Sequence, residues 1–367
     1  MFDKKMLDHF DWGLLGSTLF LGMIGITILY SAIHAGGASP QHTLIFKQLV
    51  WFGIGFFLIG IICLIDYRHF NEWGLTIYTG GILLLLGVAF FGHVGGGAKR
   101  WLLLGPFTLQ PSELMKIALC IALARYFSRH LAFKGLELRD LVQPLILILI
   151  PFLLIVQQPD LGTALLCFII GGSLTLFVGL RKRTFFSLLA AGAAVVPIVW
   201  HFLKDYQKDR ILTFLDPDRD PLGKGYNIIQ SKIAIGSGEL TGKGFLEGTQ
   251  NALDFLPEHH TDFILSVLAE EWGFMGSSLL LVAYLFFLAM GLNVAFRCRD
   301  LFGVFLAVGI TCMNFWHVFI NMGMVMGLLP VVGMPLPMIS YGGSSVITTL
   351  IGVGILLNIS MRSFIQD

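Results

Sequence analysis

The sequence predicts an all-α polytopic membrane protein, with about ten transmembrane helices and one large extracytoplasmic loop. Of its 367 residues, 56% are hydrophobic and 13% are charged, about half the charged share of a soluble domain. The mean hydropathy is +0.80. A window of about 19 residues finds ten apolar stretches long enough to cross a bilayer. They are interrupted at length only once, by a polar interval from Lys204 to Thr261. A net charge of +1 offers nucleic acid no basic surface.

The expected spans run over 12–33, 46–65, 74–92, 112–128, 141–157, 161–180, 184–203, 263–292, 301–323 and 342–361. The first follows Lys4 and Lys5 without a small-residue cleavage pattern, so it reads as an uncleaved helix. An even number of spans puts both termini on one side. Thirteen Lys and Arg residues of the termini and short loops fall on that side, among them Arg68, Arg129, Arg181 and Arg299. Four, Lys47, Lys99, Arg100 and Lys116, fall on the other. The positive-inside rule therefore makes both termini cytoplasmic and the long loop external; a loop of that length does not count in the rule. Cys63, Cys120, Cys167, Cys298 and Cys312 lie in apolar segments or at their ends, without metal-ligand spacing, and read as small core residues.

The unusual sequence collects on the outer side. After span three, Gly92 to Lys116 holds three successive glycines, Lys99 and Arg100 beside Trp101, and a Pro-Ser start to span four. The glycines have no Gly-Lys-Ser/Thr after them and are not a phosphate loop; they read as a flexible turn into a segment at headgroup level. Glu113 and Lys116 are three apart on one helix face, about a turn inside an apolar run. Charge there costs roughly 2.5–3.5 kcal/mol unless paired or wetted. The pair either neutralises itself or presents a cation to a water-filled cavity. Between spans five and six, Asp160 is placed to cap span six.

At about 60 residues, the long loop exceeds an ordinary structureless connection, so a loop folded over a site is expected. Asn227 to Ile235 suits a short amphipathic helix lying on the membrane. The loop ends in LPEHHTDFILSVLAEEW, Leu256 to Trp272, which sets His259, His260 and Asp262 beside an apolar segment. Asp262, Ser266 and Glu270 share one face at helical spacing. Asp262 is either a helix cap or a carboxylate at the edge of a wet cavity. Near the C-terminus, GLLPVVGMPLPMISYGGSS, Gly327 to Ser345, is broken by three prolines and carries no charge, so it frames a pocket. Charges at the midplane would indicate an ion-coupled transporter. Glu113, Lys116, Asp160 and Asp262 stand at the outer edge, which suits chemistry on a substrate with its head in water and its tail in lipid.

LPEHHTDFILSVLAEEWG, QPSELMK, QPDLGT, DPLGKGYNIIQSKIAIGSG, GKGFLEGTQ and PVVGMPLPMISYGGSS resemble the signature segments of the SEDS family, named for shape, elongation, division and sporulation. The likeness covers nearly the whole chain and is nearer to the family's elongation member than to its division member. It implies a single membrane domain over 1–367 with its large loop at about 204–262. The implied activity is a peptidoglycan glycosyltransferase of the bacterial inner membrane that polymerises lipid II during elongation and rod-shape maintenance. It would release undecaprenyl diphosphate and work with a class B penicillin-binding protein that crosslinks the product. Matched by motif, Asp262 would be the general base for the acceptor sugar's 4-hydroxyl. Lys116, with Arg100 or Arg210, would offset pyrophosphate charge, and His260 would contact substrate. Glu113 and Asp160 would orient Lys116 or hold a divalent cation, Mg²⁺ or Mn²⁺; no organic cofactor is implied. Two rival readings are a lipid II flippase and a non-catalytic membrane scaffold for the crosslinking enzyme.

Overall fold

The computed structural model describes residues 9–34, 42–95, 98–104, 107–130, 135–202, 205–216, 224–252 and 260–362. Each expected span has its helix: α1 Trp12–His34, α2 His42–Leu64, α3 Arg68–Phe91, α4 Pro111–Arg129, α5 Val142–Gln157, α6 Leu161–Val178 and α7 Lys182–Phe202, then, beyond the loop, α11 Ile264–Arg297, α12 Leu301–Val325 and α13 Gly343–Arg362. The loop contributes α8 Asp205–Leu215, α9 Lys224–Ser237 and the short α10 Thr249–Ala252. Seven of the long helices are apolar enough along 18 residues to cross a membrane by that measure alone. The helices α4, α12 and α13 form the centre, and their apolar faces are buried almost all round. Most residues of α7 are exposed, as befits a helix with lipid on most sides.

The segment after α3 departs from an all-α fold. It forms a three-stranded antiparallel sheet, β1 His93–Gly95, β2 Ala98–Leu104 and β3 Phe107–Leu109. Because side chains alternate across a strand, Lys99 and Arg100 turn opposite ways. Lys99 donates to the Ala89 and Phe90 carbonyls at the end of α3. Arg100 donates to the Gln158 carbonyl at 3.3 Å and to the Pro159 carbonyl, beyond the end of α5. The two bases expected at headgroup level thus satisfy helix C-termini.

Basic residues tie the opposite end of the bundle. Arg362 pairs with Asp66 at 3.2 Å and donates to the Cys63 carbonyl, while Arg125 donates to the Asn71 carbonyl at 2.7 Å.

The amphipathic stretch of the loop is helical, as α9, and packs on the bundle. Ser231, wholly buried, bonds Ser266 of α11 at 2.8 Å and donates to the Val325 carbonyl at 2.6 Å. One turn further along α11, Glu270 Oε1 accepts from Lys243 Nζ at 2.6 Å, Thr249 N at 2.9 Å and Gln250 N at 3.1 Å. The helix breaks at Gly273, with φ 62° and ψ −157°. There the loop exchanges hydrogen bonds with it: the Glu270 and Glu271 carbonyls accept from Lys243 N and Gly244 N, and Phe274 N and Met275 N donate to the Glu239 and Leu240 carbonyls. A Cβ on Gly273 would come within 2.4 Å of Gly242 N, so the exchange requires glycine. Lys4, Lys5, Gly96, Gly97, Lys134, Lys204, Leu253, Phe255, Leu256, Glu258 and His259 lie outside the described residues.

Candidate active site

The N-termini of α4, α6 and α11 meet at the end of the bundle opposite the arginine-rich one. Between them and the Gly327–Ser345 segment lies a cavity of about 310 Å³, lined by Arg100, Gln110, Glu113, Asp160, Asp262 and His317 among others.

Helix α4 begins at Pro111, where a missing N–H costs nothing. Glu113 sits in its first turn, where the helix dipole favours a carboxylate. Gln110, just before, receives little from its own helix and links others: its backbone N–H donates to Ser344 Oγ at 3.1 Å and its side chain to Asp160 Oδ2 at 3.1 Å. Lys116, one turn inside, is wholly buried. Its ammonium lies 2.6 Å from Glu113 Oε1 and 2.6 Å from His317 Nε2 of α12. Because the ammonium can only donate, that ring nitrogen accepts, and neutral His317 carries its proton on Nδ1. A second positive charge on the ring would oppose Lys116 by about 6 kcal/mol at an effective dielectric of about 20.

Asp160 caps α6, as its position suggested. It accepts from Thr163 N at 3.2 Å and from Thr163 Oγ1 at 2.9 Å, with Arg100 Nη1 3.9 Å away. Its oxygens are therefore committed to holding α6, β2 and Gln110 together, which fits poorly with metal ligation. Among the described residues, no three His, Cys, Asp or Glu side chains stand together as a ligand set.

Asp262 stands one residue before the N-cap position of α11. That helix begins after Phe263, which makes no side-chain cap bond. Asn321 of α12 donates from Nδ2 to the Asp262 carbonyl at 2.9 Å and to the Met334 carbonyl at 2.6 Å. Tyr341 N donates to the His260 carbonyl at 3.0 Å, and Ser340 Oγ to the Thr261 carbonyl. The uncharged proline-rich segment thus frames the pocket, as its composition suggested, by clamping residues 260–262. Gly333, at φ +73°, faces the carboxylate: a Cβ there would lie 3.2 Å from Asp262 Oδ2.

A second chamber of about 830 Å³ adjoins the first through Trp101, Thr261, Tyr341 and Gly342. Lys47, Trp51 and Phe46 of α2 line it, and Phe46 of this apolar helix is 70% exposed.

Four of the seven residues expected in the site, Arg100, Glu113, Asp160 and Asp262, line one cavity. Lys116 lies behind Glu113, and the self-neutralising pair is what the structure shows. His260 stands beside the cavity with its ring 6.1 Å from that of Tyr341. Arg210, on α8, is not among the lining residues. Sequence reasoning passed over His317 and Asn321. Their signal was present: polar residues inside an apolar span, which face protein or water and not lipid.

A family model described as cell cycle protein, covering FtsW, RodA and SpoVE, matches residues 9–364. The chain is 43% identical to the peptidoglycan glycosyltransferase MrdB of Escherichia coli K12, covering 94% of this chain and 93% of that one. It is 35% identical to the peptidoglycan glycosyltransferase RodA of Treponema pallidum, covering 97% and 98%. Among solved structures, a chain from a peptidoglycan synthase complex that coordinates polymerization and crosslinking superposes with a TM-score of 0.83 at 33% identity, covering 98% and 99%. The rod shape determining protein RodA of Thermus thermophilus gives 0.72 at 29%, covering 98% of each chain. With the acidic cavity built from the segments that first suggested it, and the match running almost from end to end, this chain belongs to the FtsW/RodA/SpoVE family, the SEDS proteins.

Proposed function

We propose that this protein is a peptidoglycan glycosyltransferase that polymerises lipid II into glycan strands during cell elongation. The observation that carries the reading is the cavity shared by Asp262, Glu113 and Arg100, joined to a chamber lined by exposed Phe46 of an apolar helix. One lipid-linked saccharide presents its 4-hydroxyl to Asp262. The hydroxyl oxygen attacks the anomeric carbon of the lipid-linked strand as the bond to pyrophosphate breaks, and Asp262 takes the hydroxyl proton. Undecaprenyl diphosphate departs with the electron pair. Arg100 offsets charge on it from the cavity and Lys47 from the chamber, in place of the buried Lys116. The aromatic wall of Trp51, Trp101 and Tyr341 leaves room for the second saccharide. A Mg²⁺ or Mn²⁺ ion would be held by the pyrophosphate together with Glu113, the cavity carboxylate that is neither the cap of α6 nor the base.

The protein is a multi-pass membrane protein, and the excess of Arg and Lys at one end supports cytoplasmic termini with the cavity outside. By analogy with the synthase complex it superposes on, the partner is a class B penicillin-binding protein. The test is polymerisation of purified lipid II with that partner, transpeptidation blocked. Activity lost on adding a chelator and restored by Mg²⁺ or Mn²⁺ supports the cation; activity indifferent to the chelator removes it.

A further inference from the structure

We infer that His317 and Asn321 of α12 are positioning residues that hold the two halves of the cavity wall in register; this rests on the glycosyltransferase reading. Asn314, His317 and Asn321 recur at three and four residues in an otherwise apolar helix and so share one face. Asn314 spends its amide N–H inside its own helix, donating to the Ile310 carbonyl at 3.0 Å. The other two reach out of it. His317 accepts from Lys116, 201 residues away in sequence, and through it fixes Glu113. Asn321 holds the Asp262 carbonyl and, with the same amide, the Met334 carbonyl.

The two residues are one helical turn apart, about 6 Å along the axis. One rigid helix therefore grips the Glu113–Lys116 pair with one turn and the Asp262 segment with the next. These contacts join segments that are otherwise remote in the chain, α4, the end of the large loop and the proline-rich stretch. Lys116 is wholly buried, so an ammonium deprived of its ring acceptor has no water to turn to. It must draw further on Glu113 and move that carboxylate from its place in the wall. Neither His317 nor Asn321 takes the reaction's proton. They set the separation of the groups that act.

The experiment uses the full chain in lipid nanodiscs with its class B partner and measures kcat and KM for lipid II polymerisation. The variants are His317→Leu, His317→Gln, Asn321→Leu and the Leu/Leu double. Misplacement of about 1 Å at a reacting centre costs up to about 100-fold, so both single Leu variants should lose kcat on that order with KM within about threefold. Gln offers Lys116 an acceptor oxygen, and His317→Gln should recover most of the loss. The double variant should be little worse than the worse single, because one frame is broken once. Where His317→Leu fails to fold, His317→Met against His317→Gln makes the same comparison. Unchanged kcat in both Leu variants, or a Gln variant as poor as Leu with losses that multiply in the double, overturns the inference. An inactive wild type overturns the glycosyltransferase reading and this role together; an active wild type beside an equally active His317→Leu overturns this role alone.

Discussion

Asp262 stands just before the first turn of α11, where the sequence allows either a cap or a base, and the N-cap position itself is taken by Phe263. Its carboxylate faces Gly333 across the cavity edge. Gly333→Ala should therefore act twice, through roughly 1–2 kcal/mol of left-handed backbone strain and through a methyl group against Asp262 Oδ2. The expected result is a fall of about tenfold or more in polymerisation with partner binding kept, measured on lipid II. Lys116→Met should leave the buried Glu113 unpaired at a cost of about 3–5 kcal/mol, read as a lowered unfolding temperature; adding Glu113→Gln should return part of it. The depth of Lys116 was legible in the sequence, because charge inside an apolar run is visible at once. Its partner His317 was not, because 201 residues separate them and only the packing of α4 on α12 brings the two together.

At the level of elements, the ten long helices were legible because bilayer-length apolar runs leave little choice of structure. The sheet was not. Its strands are short, and its longest, Ala98–Leu104, puts adjacent bases before an apolar run that reads equally well as an interfacial coil. Nor could local pattern show the exchange at Gly273, where a segment from 30 residues upstream takes over the helix's own hydrogen bonds. That exchange fixes the loop to the helix that starts beside Asp262. Gly273→Ala should destabilise it by more than the roughly 1–3 kcal/mol of backbone strain alone, because the added Cβ also meets Gly242 N. Limited proteolysis within residues 238–250 reports the effect: cleavage should appear in the variant under conditions that leave the wild type intact.

For the whole molecule, the proposed orientation rests on the opposition of an arginine-rich end and an acidic cavity end. On a cysteine-depleted background, a cysteine at exposed Glu247 should react with a membrane-impermeant maleimide in intact cells, and one at Arg183 only after permeabilisation. The reverse pattern would place the cavity in the cytoplasm and rule out polymerisation outside. The central claim is that Asp262 removes the acceptor's proton. It is tested most directly by lipid II polymerisation with wild type, Asp262→Asn and Asp262→Ala, each co-purified with the class B partner and with transpeptidation blocked. Loss of a positioned base costs about 10²–10⁴-fold, so both variants should make no detectable glycan while still binding the partner. Glycan strands formed by either variant at the wild-type rate would contradict the assignment and leave Asp262 a structural residue of the loop's end.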